Sequence, residues 1–255
     1  MTPKVSFALE RWRNAGYRTW RDLSQKISIY WAARAPLVFS ALPIVEGDLL
    51  LDLGCNTGLW SRTFAHRGAH VVGMDLDAAA VEVASQFWQD DAPWSVYTNG
   101  SVEELPFKSD SFHAILCLDV LDIVPNDRQA AEEMLRVLRP GGRLVITVMS
   151  RNRRRYFVRL SFAEHVRNYA LAELRDLLVG AGFDIRVERT FYRRLGGLAR
   201  ESGALVHYSG LGRVPGLNVA ITLVLAALTR VDVLIPADEK DGGIQIVAEK
   251  LNRVC

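Results

Sequence analysis

The sequence predicts an α/β protein built on a doubly wound, mostly parallel sheet. Two observations predict it. From residue 49 onward apolar runs alternate with amphipathic stretches, the pattern of strands joined by crossover helices. The apolar runs also lack strict alternation, which suits strands covered on both faces.

The elements follow in order. Residues 7–40 read as helical, with Phe7, Trp12, Trp20, Leu23, Ile27 and Trp31 forming an apolar face and Pro36 and Pro43 marking the end. "LLLDLGC" is a strand, and "LWSRTFAHRG" a helix stopped by Gly68. "HVVGMDL" is the next strand, followed by the helix "AAAVEVASQFWQ". "SVYTNGS" and "FHAILCLDV" supply two more strands, and "DRQAAEEMLRVLR" is a helix closed by Pro140, Gly141 and Gly142. "RLVITVMS" is a fifth strand. Beyond it lie a basic, aromatic segment, the helix "LAELRDLLVGAG", strand-like "FDIRVERTFYR", a glycine-rich stretch (Gly196 to Gly216), an apolar helix and a last strand, "GGIQIVAEKL".

A chain of 255 residues that is 49% hydrophobic and 24% charged has the composition of an ordinary globular protein. Its net charge of +2 is too small to imply nucleic acid without a local patch. Cys55, Cys117 and Cys255 are spaced for neither zinc nor a disulfide framework; buried reduced thiols and a cytoplasmic setting are expected. The first residues hold no apolar run fit for a signal peptide. The apolar run at 217–236 is interrupted by Arg230 and Asp232 after about 13 residues, short of the roughly 20 a span needs. That leaves a buried or surface-lying helix, with peripheral membrane contact as the alternative.

Chemistry concentrates at "LLLDLGCNTGLW", residues 49–60. A strand, a tight glycine turn and a helix N-terminus place backbone amides over a ligand. A dinucleotide site wants Gly-x-Gly-x-x-Gly. Counted from Gly54, that pattern meets Asn56 and Leu59 instead of glycines, and no P-loop lysine is present.

These residues resemble the first motif of class I S-adenosylmethionine-dependent methyltransferases. The resemblance continues in order through "VVGMDLD", "GSVEELPF", "FHAILCLDVLDIV" and "EEMLRVLRPGGRLVIT", and "LRDLLVGAGFDI" and "GGIQIVAEK" resemble the family's last helix and strands. It implies a Rossmann-like methyltransferase fold, a seven-stranded sheet ending in an antiparallel hairpin. Residues 1–45 would form an N-terminal helical cap and 46–150 the S-adenosylmethionine-binding core. Residues 151–255 would form a lid or substrate region plus the last core elements.

Site roles follow from the same resemblance. Asp52, Gly54, Cys55, Asn56 and Gly58 would wall the methionine and ribose, asparagine tolerating a positive φ better than most residues. Asp75, 23 residues after Asp52, would accept both ribose hydroxyls, with Leu76 beside it. Ser101, where relatives carry aspartate, and the amide of Val102 would face adenine. The backbone carbonyls of Cys117 and Leu118 would take the methionine ammonium.

On the acceptor side, "CLDVLDIV" resembles a segment of ubiquinone-type O-methyltransferases, with Asp119 and Asp122 in place of glutamates and Ile123 in place of histidine. That exchange argues against a metal; Asp119 would then line the pocket and Asp122 cap a helix. His165 is the preferred candidate base, since an imidazole is poised near neutral pH, with Tyr169 and Asp119 as further catalytic candidates. Tyr156, Arg151 and Arg155 are candidate substrate-binding residues, the arginines being suited to phosphate or carboxylate. The implied activity is O-methylation of a small or lipid-like molecule, an anionic one included. The alternatives are an RNA methyltransferase using the arginines of 151–155 and a module that binds S-adenosylmethionine without transfer.

Overall fold

The computed structural model describes residues 28–88, 92, 94–154, 156, 167–208, 217–238 and 240–252. Its strands are β1 (Leu49–Leu53), β2 (His70–Asp75), β3 (Ser95–Asn99), β4 (Phe112–Leu118), β5 (Leu138–Met149), β6 (Phe183–Phe191) and β7 (Gly243–Lys250). They form one seven-stranded sheet in the order β3-β2-β1-β4-β5-β7-β6. β3 to β5 run parallel, and β7 lies antiparallel between β5 and β6. The expected doubly wound sheet with its closing hairpin is therefore present. The strand order reverses between β1 and β4, which opens a crevice beyond their carboxyl ends.

Alternation along the central strands explains why their sequences are apolar throughout. Leu51, Leu53, Ile115 and Cys117 point to one face, where they meet Met134 and Val137 of α4 (Asp127–Val137) and Leu174 and Leu178 of α5 (Leu171–Ala181). Leu50, Ala114, Leu116 and Leu118 point to the other. That face is covered by α1 (Ile29–Ala41), α2 (Leu59–Ala65) and α3 (Ala78–Trp88). Neither face of these strands meets water.

Of the helix expected over 7–40, the part before residue 28 lies outside the described residues. α1 starts at the Ser28 cap, whose hydroxyl accepts from the Trp31 N–H at 3.1 Å. It runs through Pro36 to Ala41, one residue past the expected end. Pro36 forfeits one helical hydrogen bond, but Ala35, Val38 and Ala41 are buried on the sheet and hold the helix in register. β5 begins earlier than expected, at Leu138, which is fully buried and pairs with Phe112.

The glycine-rich stretch contains a helix. α6 (Arg194–Tyr208) carries Gly196, Gly197 and Gly203, and α7 (Leu217–Val231) packs against it and against α1. A Cβ on Gly203 would come within 2.8 Å of Ile29 on α1 and 3.6 Å of Leu225 on α7. Gly203 thus serves close helix approach, while Gly196 makes room for Asp232. No described helix is long and apolar enough to cross a membrane.

Aromatic packing fixes α1 on the core. Trp31 stacks on Trp60 at 4.5 Å, and Phe39 meets both Trp60 and Phe64 edge-on at 5.8 Å. Phe64 is fully buried, so Phe64→Ala should cost about 3–5 kcal/mol of stability. A urea unfolding midpoint close to wild type would contradict this packing.

Candidate active site

The turn after β1 uses three left-handed residues in close succession: Gly54 (φ 69°), Asn56 (φ 47°) and Gly58 (φ 79°). A side chain on Gly54 would also collide with Val120. Asn56 holds its conformation with two bonds. Its side-chain oxygen accepts from the Thr57 N–H at 2.7 Å, and its own N–H donates to Asp75 Oδ2 at 2.8 Å. Gly58 ends the turn as the cap of α2.

The turn borders a cavity of about 740 Å³ beyond the ends of β1, β2 and β4. Of the residues expected to hold the cofactor, Asp52, Gly54, Cys55, Asn56, Asp75 and Leu76 line it, as do Ser101, Val102 and Leu118. Gly58 acts through the helix cap, and Cys117 is buried in the sheet, paired with Ile146. Asp77 caps α3 by accepting from the Ala79 N–H at 2.9 Å. Asp75 instead accepts from the Asn56 and Asp77 amides and stays on the cavity wall.

The two acids of the site live in different surroundings. Asp52 is buried and accepts from the Ser61 hydroxyl at 2.6 Å. Burial pushes its carboxyl up to about 7; the Ser61 bonds oppose the rise and the nearby Asp75 charge adds to it. Burial likewise raises the Cys55 thiol, so it is an inert neutral wall.

The acceptor-side residues divide. Asp119 lines the cavity at the end of β4, with its carboxylate held on both sides. Thr147 Oγ1 donates to Oδ1 at 3.0 Å, and Arg34 Nη2 forms a short ion pair with Oδ2. Tyr169 does not line the cavity; it is buried against α4 and donates its hydroxyl to Asp127 at 2.7 Å. Tyr156 also lies off the cavity, donating its hydroxyl to the Arg194 carbonyl and its N–H to Glu201. Arg151 is exposed and paired with Glu173 at 2.6 Å. His165 and Arg155 lie outside the described residues. Asp122 does not cap α4: it is buried in the 3-10 turn Leu121–Ile123, and Asn126 caps α4 by accepting from the Gln129 N–H. Among the described residues no His, Cys, Asp and Glu cluster could hold a metal.

Three residues that the sequence did not single out form or back the wall beside Asp119. Tyr30 lines the cavity from α1. Arg34, 1% exposed, stacks 3.9 Å over the Tyr30 ring and donates to the Tyr192 hydroxyl at 2.8 Å. The signal was a lone charge inside the apolar run "IYWAARAPLVF", since a buried guanidinium requires a partner.

Residues 51–146 match the family model described as a methyltransferase domain. Over this stretch the chain carries a methyltransferase domain. A ubiquinone biosynthesis O-methyltransferase of Alkalilimnicola ehrlichii is 33% identical over 134 residues, which is 52% of this chain and 54% of the relative. One from Coxiella burnetii is 28% identical over 167 residues, or 66% and 70% of the two chains. The chain spans about half the length of the first of these and of several other curated relatives it matches. Two solved structures share the fold. The [4+2]-cyclase SpnF aligns with a TM-score of 0.61 at 23% identity, over 85% of this chain and 80% of its own. Phosphoethanolamine N-methyltransferase 2 of Haemonchus contortus, in complex with S-adenosyl-L-methionine, gives 0.63 at 21%, over 86% and 52%.

Because Asp52 holds its proton to about pH 7 when folded and to about 4 when unfolded, the folded state binds the extra proton between those values. Stability is therefore lost as pH rises through that window. Asp52→Asn should match wild type near pH 4 and exceed it at pH 8. Denaturant midpoints that differ equally at both pH values would contradict the burial argument.

Proposed function

We propose that this chain transfers the methyl group of S-adenosylmethionine to an oxygen of a small or lipid-like, in part anionic, molecule. The observation that carries the reading is the Asp75 carboxylate on the wall of the cavity at the β1/β4 strand reversal. Its oxygens are held in place by two backbone amides and still face the cavity, the arrangement a ribose diol needs. Leu76, Val102 and Val124 offer an apolar slot for a purine, and Asp52 and the end of β4 offer acceptors for an ammonium. The residues present fit the cofactor.

When bound, the cofactor supplies an electrophilic methyl group and carries its own leaving group. The chain's task is then to place the acceptor in line and keep water away. Asp119, fixed between Arg34 and Thr147, stands where an acceptor hydroxyl can donate to it. Tyr30 and Ile123 narrow the space on that side. Residues 1–45 and 151–255 would close over the acceptor, with His165 as a candidate base. The names of the curated relatives support oxygen as the acceptor atom.

Three arginines of the basic segment are committed within the fold. Arg151 pairs with Glu173, Arg153 bonds Asn168, and Arg154 pairs with Asp238. That counts against an RNA substrate, which would need them for phosphates.

Calorimetric titration with S-adenosylhomocysteine, with NADH as control, tests the cofactor. Wild type should bind the thioether and not NADH, and Asp75→Ala should weaken binding by roughly tenfold or more, the worth of charge-assisted hydrogen bonds. A folded wild type that fails to bind would sink the reading. Clean binding with no label transfer to a panel of phenols, alcohols and carboxylates would favour the non-catalytic module.

A further inference from the structure

A second cleft of about 880 Å³ shares no lining residue with the cavity at the strand ends. It runs between α1, the end of β6 and the turn after α7. Ala33, Pro36 and Leu37 of α1, Phe191 of β6 and Val233 of the turn make its walls apolar. Pockets of this size with apolar walls and a few placed charges are typical of ligand sites.

The charges around it do not cancel. Glu188 is taken by Arg175, which donates to both its oxygens. Asp232 is buried and accepts from the Arg193 and Leu195 amides at 2.6 and 2.9 Å. The Arg193 guanidinium donates to the carbonyls of Val233 and Ile235. Two guanidiniums remain. Arg189 reaches only the Ser40 hydroxyl, at 2.9 Å, and Arg230 meets no carboxylate among the described residues. Arg189 also lines an adjoining hollow of about 380 Å³ with Arg143 and Arg186, which share Glu249, Arg186 pairing with Asp184 as well. An apolar cleft thus carries two guanidiniums on its lining that meet no carboxylate among the described residues.

We propose that this cleft binds a single-chain anionic amphiphile, its chain along Leu37 and Phe191 and its head group at Arg189 and Arg230. Guanidinium groups suit carboxylate and phosphate heads equally. The chain's own residues 1–27 are a poor occupant beside these two guanidiniums, since they carry six basic and two acidic residues. The proposal goes beyond methyl transfer and does not depend on it.

Palmitate and dodecyl phosphate, titrated calorimetrically as monomers into the full chain, are the probes, with dodecanol as the uncharged control. Saturable one-to-one binding of either anion is expected, with dodecanol roughly tenfold weaker; which anion binds identifies the head group. Arg189→Gln with Arg230→Gln should weaken the anion by a similar factor, and Leu37→Trp should block the chain. The near-UV circular dichroism of the arginine variant should stay as in wild type, which keeps the test valid where Leu37→Trp misfolds. The proposal is overturned by equal binding of dodecanol, by no saturable binding, or by displacement of the amphiphile by S-adenosylhomocysteine. Binding to phosphatidylglycerol vesicles without monomer binding overturns it too, and would make this face a bilayer contact.

Discussion

The Arg34 guanidinium ties together three parts of the chain that are far apart in sequence. It lies on α1, pairs with Asp119 at the end of β4, and donates to Tyr192 at the end of β6. Tyr30 and Phe191 cover its faces at 3.9 and 4.7 Å. Burial alone would lower this guanidinium, and the Asp119 charge more than reverses that. A buried charge of this kind contributes little net stability while paired, yet removing either partner leaves the other stranded at a cost of about 3–5 kcal/mol. Both residues it holds, Asp119 and Tyr192, are non-glycine residues in the left-handed region (φ 57° and 53°). That conformation is uncommon for them and persists where the surroundings over-determine it. One cation therefore holds two strained strand ends and seats α1 beside the cavity.

The cavity itself depends on a different economy of charge. Asp52 and Asp75 end adjacent parallel strands, and two neighbouring carboxylates would repel one another. Burial keeps the Asp52 proton to about pH 7, while Asp75 is stabilised by two amides. The sheet thus offers one acid that is part-neutral and one that is free to accept. The tight turn between β1 and α2 makes this possible, because its left-handed residues swing the Asn56 amide back onto Asp75.

The turn was legible in the sequence because its chemistry is local. Glycine, asparagine and glycine at short spacing after an apolar strand admit few backbone paths. The central strands were legible for a similar reason: burial on both faces leaves a continuous apolar run. The Arg34 cluster was not legible, because its members are 85 and 158 residues apart and only the fold brings them together. The glycine-rich stretch from Gly196 gave no element from sequence. Gly203 lacks a side chain where α6 meets α1 and α7, and composition alone does not separate that use from a loop. Tyr169 attracted attention as a polar aromatic in a lid-like segment, yet its hydroxyl is spent on Asp127 and its ring fills the core.

The family match ends at residue 146, inside β5. All of the turn, Asp75, Ser101, Leu118 and Asp119 fall within it. Tyr30 and Arg34 precede it, and Tyr192 with the two helices between β6 and β7 follow it. The matched segment thus supplies nearly the whole lining of the cavity, and Ser28 and Tyr30 are the lining residues from outside it. The neighbours with the same fold are named for a cycloaddition and for an N-methylation, so the common core does not fix the reaction. Outside the matched segment, α1 and the end of β6 meet at Arg34, which couples both to the Asp119 carboxylate. A change at Asp119 is therefore felt both on α1 and at the end of β6 through that one buried ion pair.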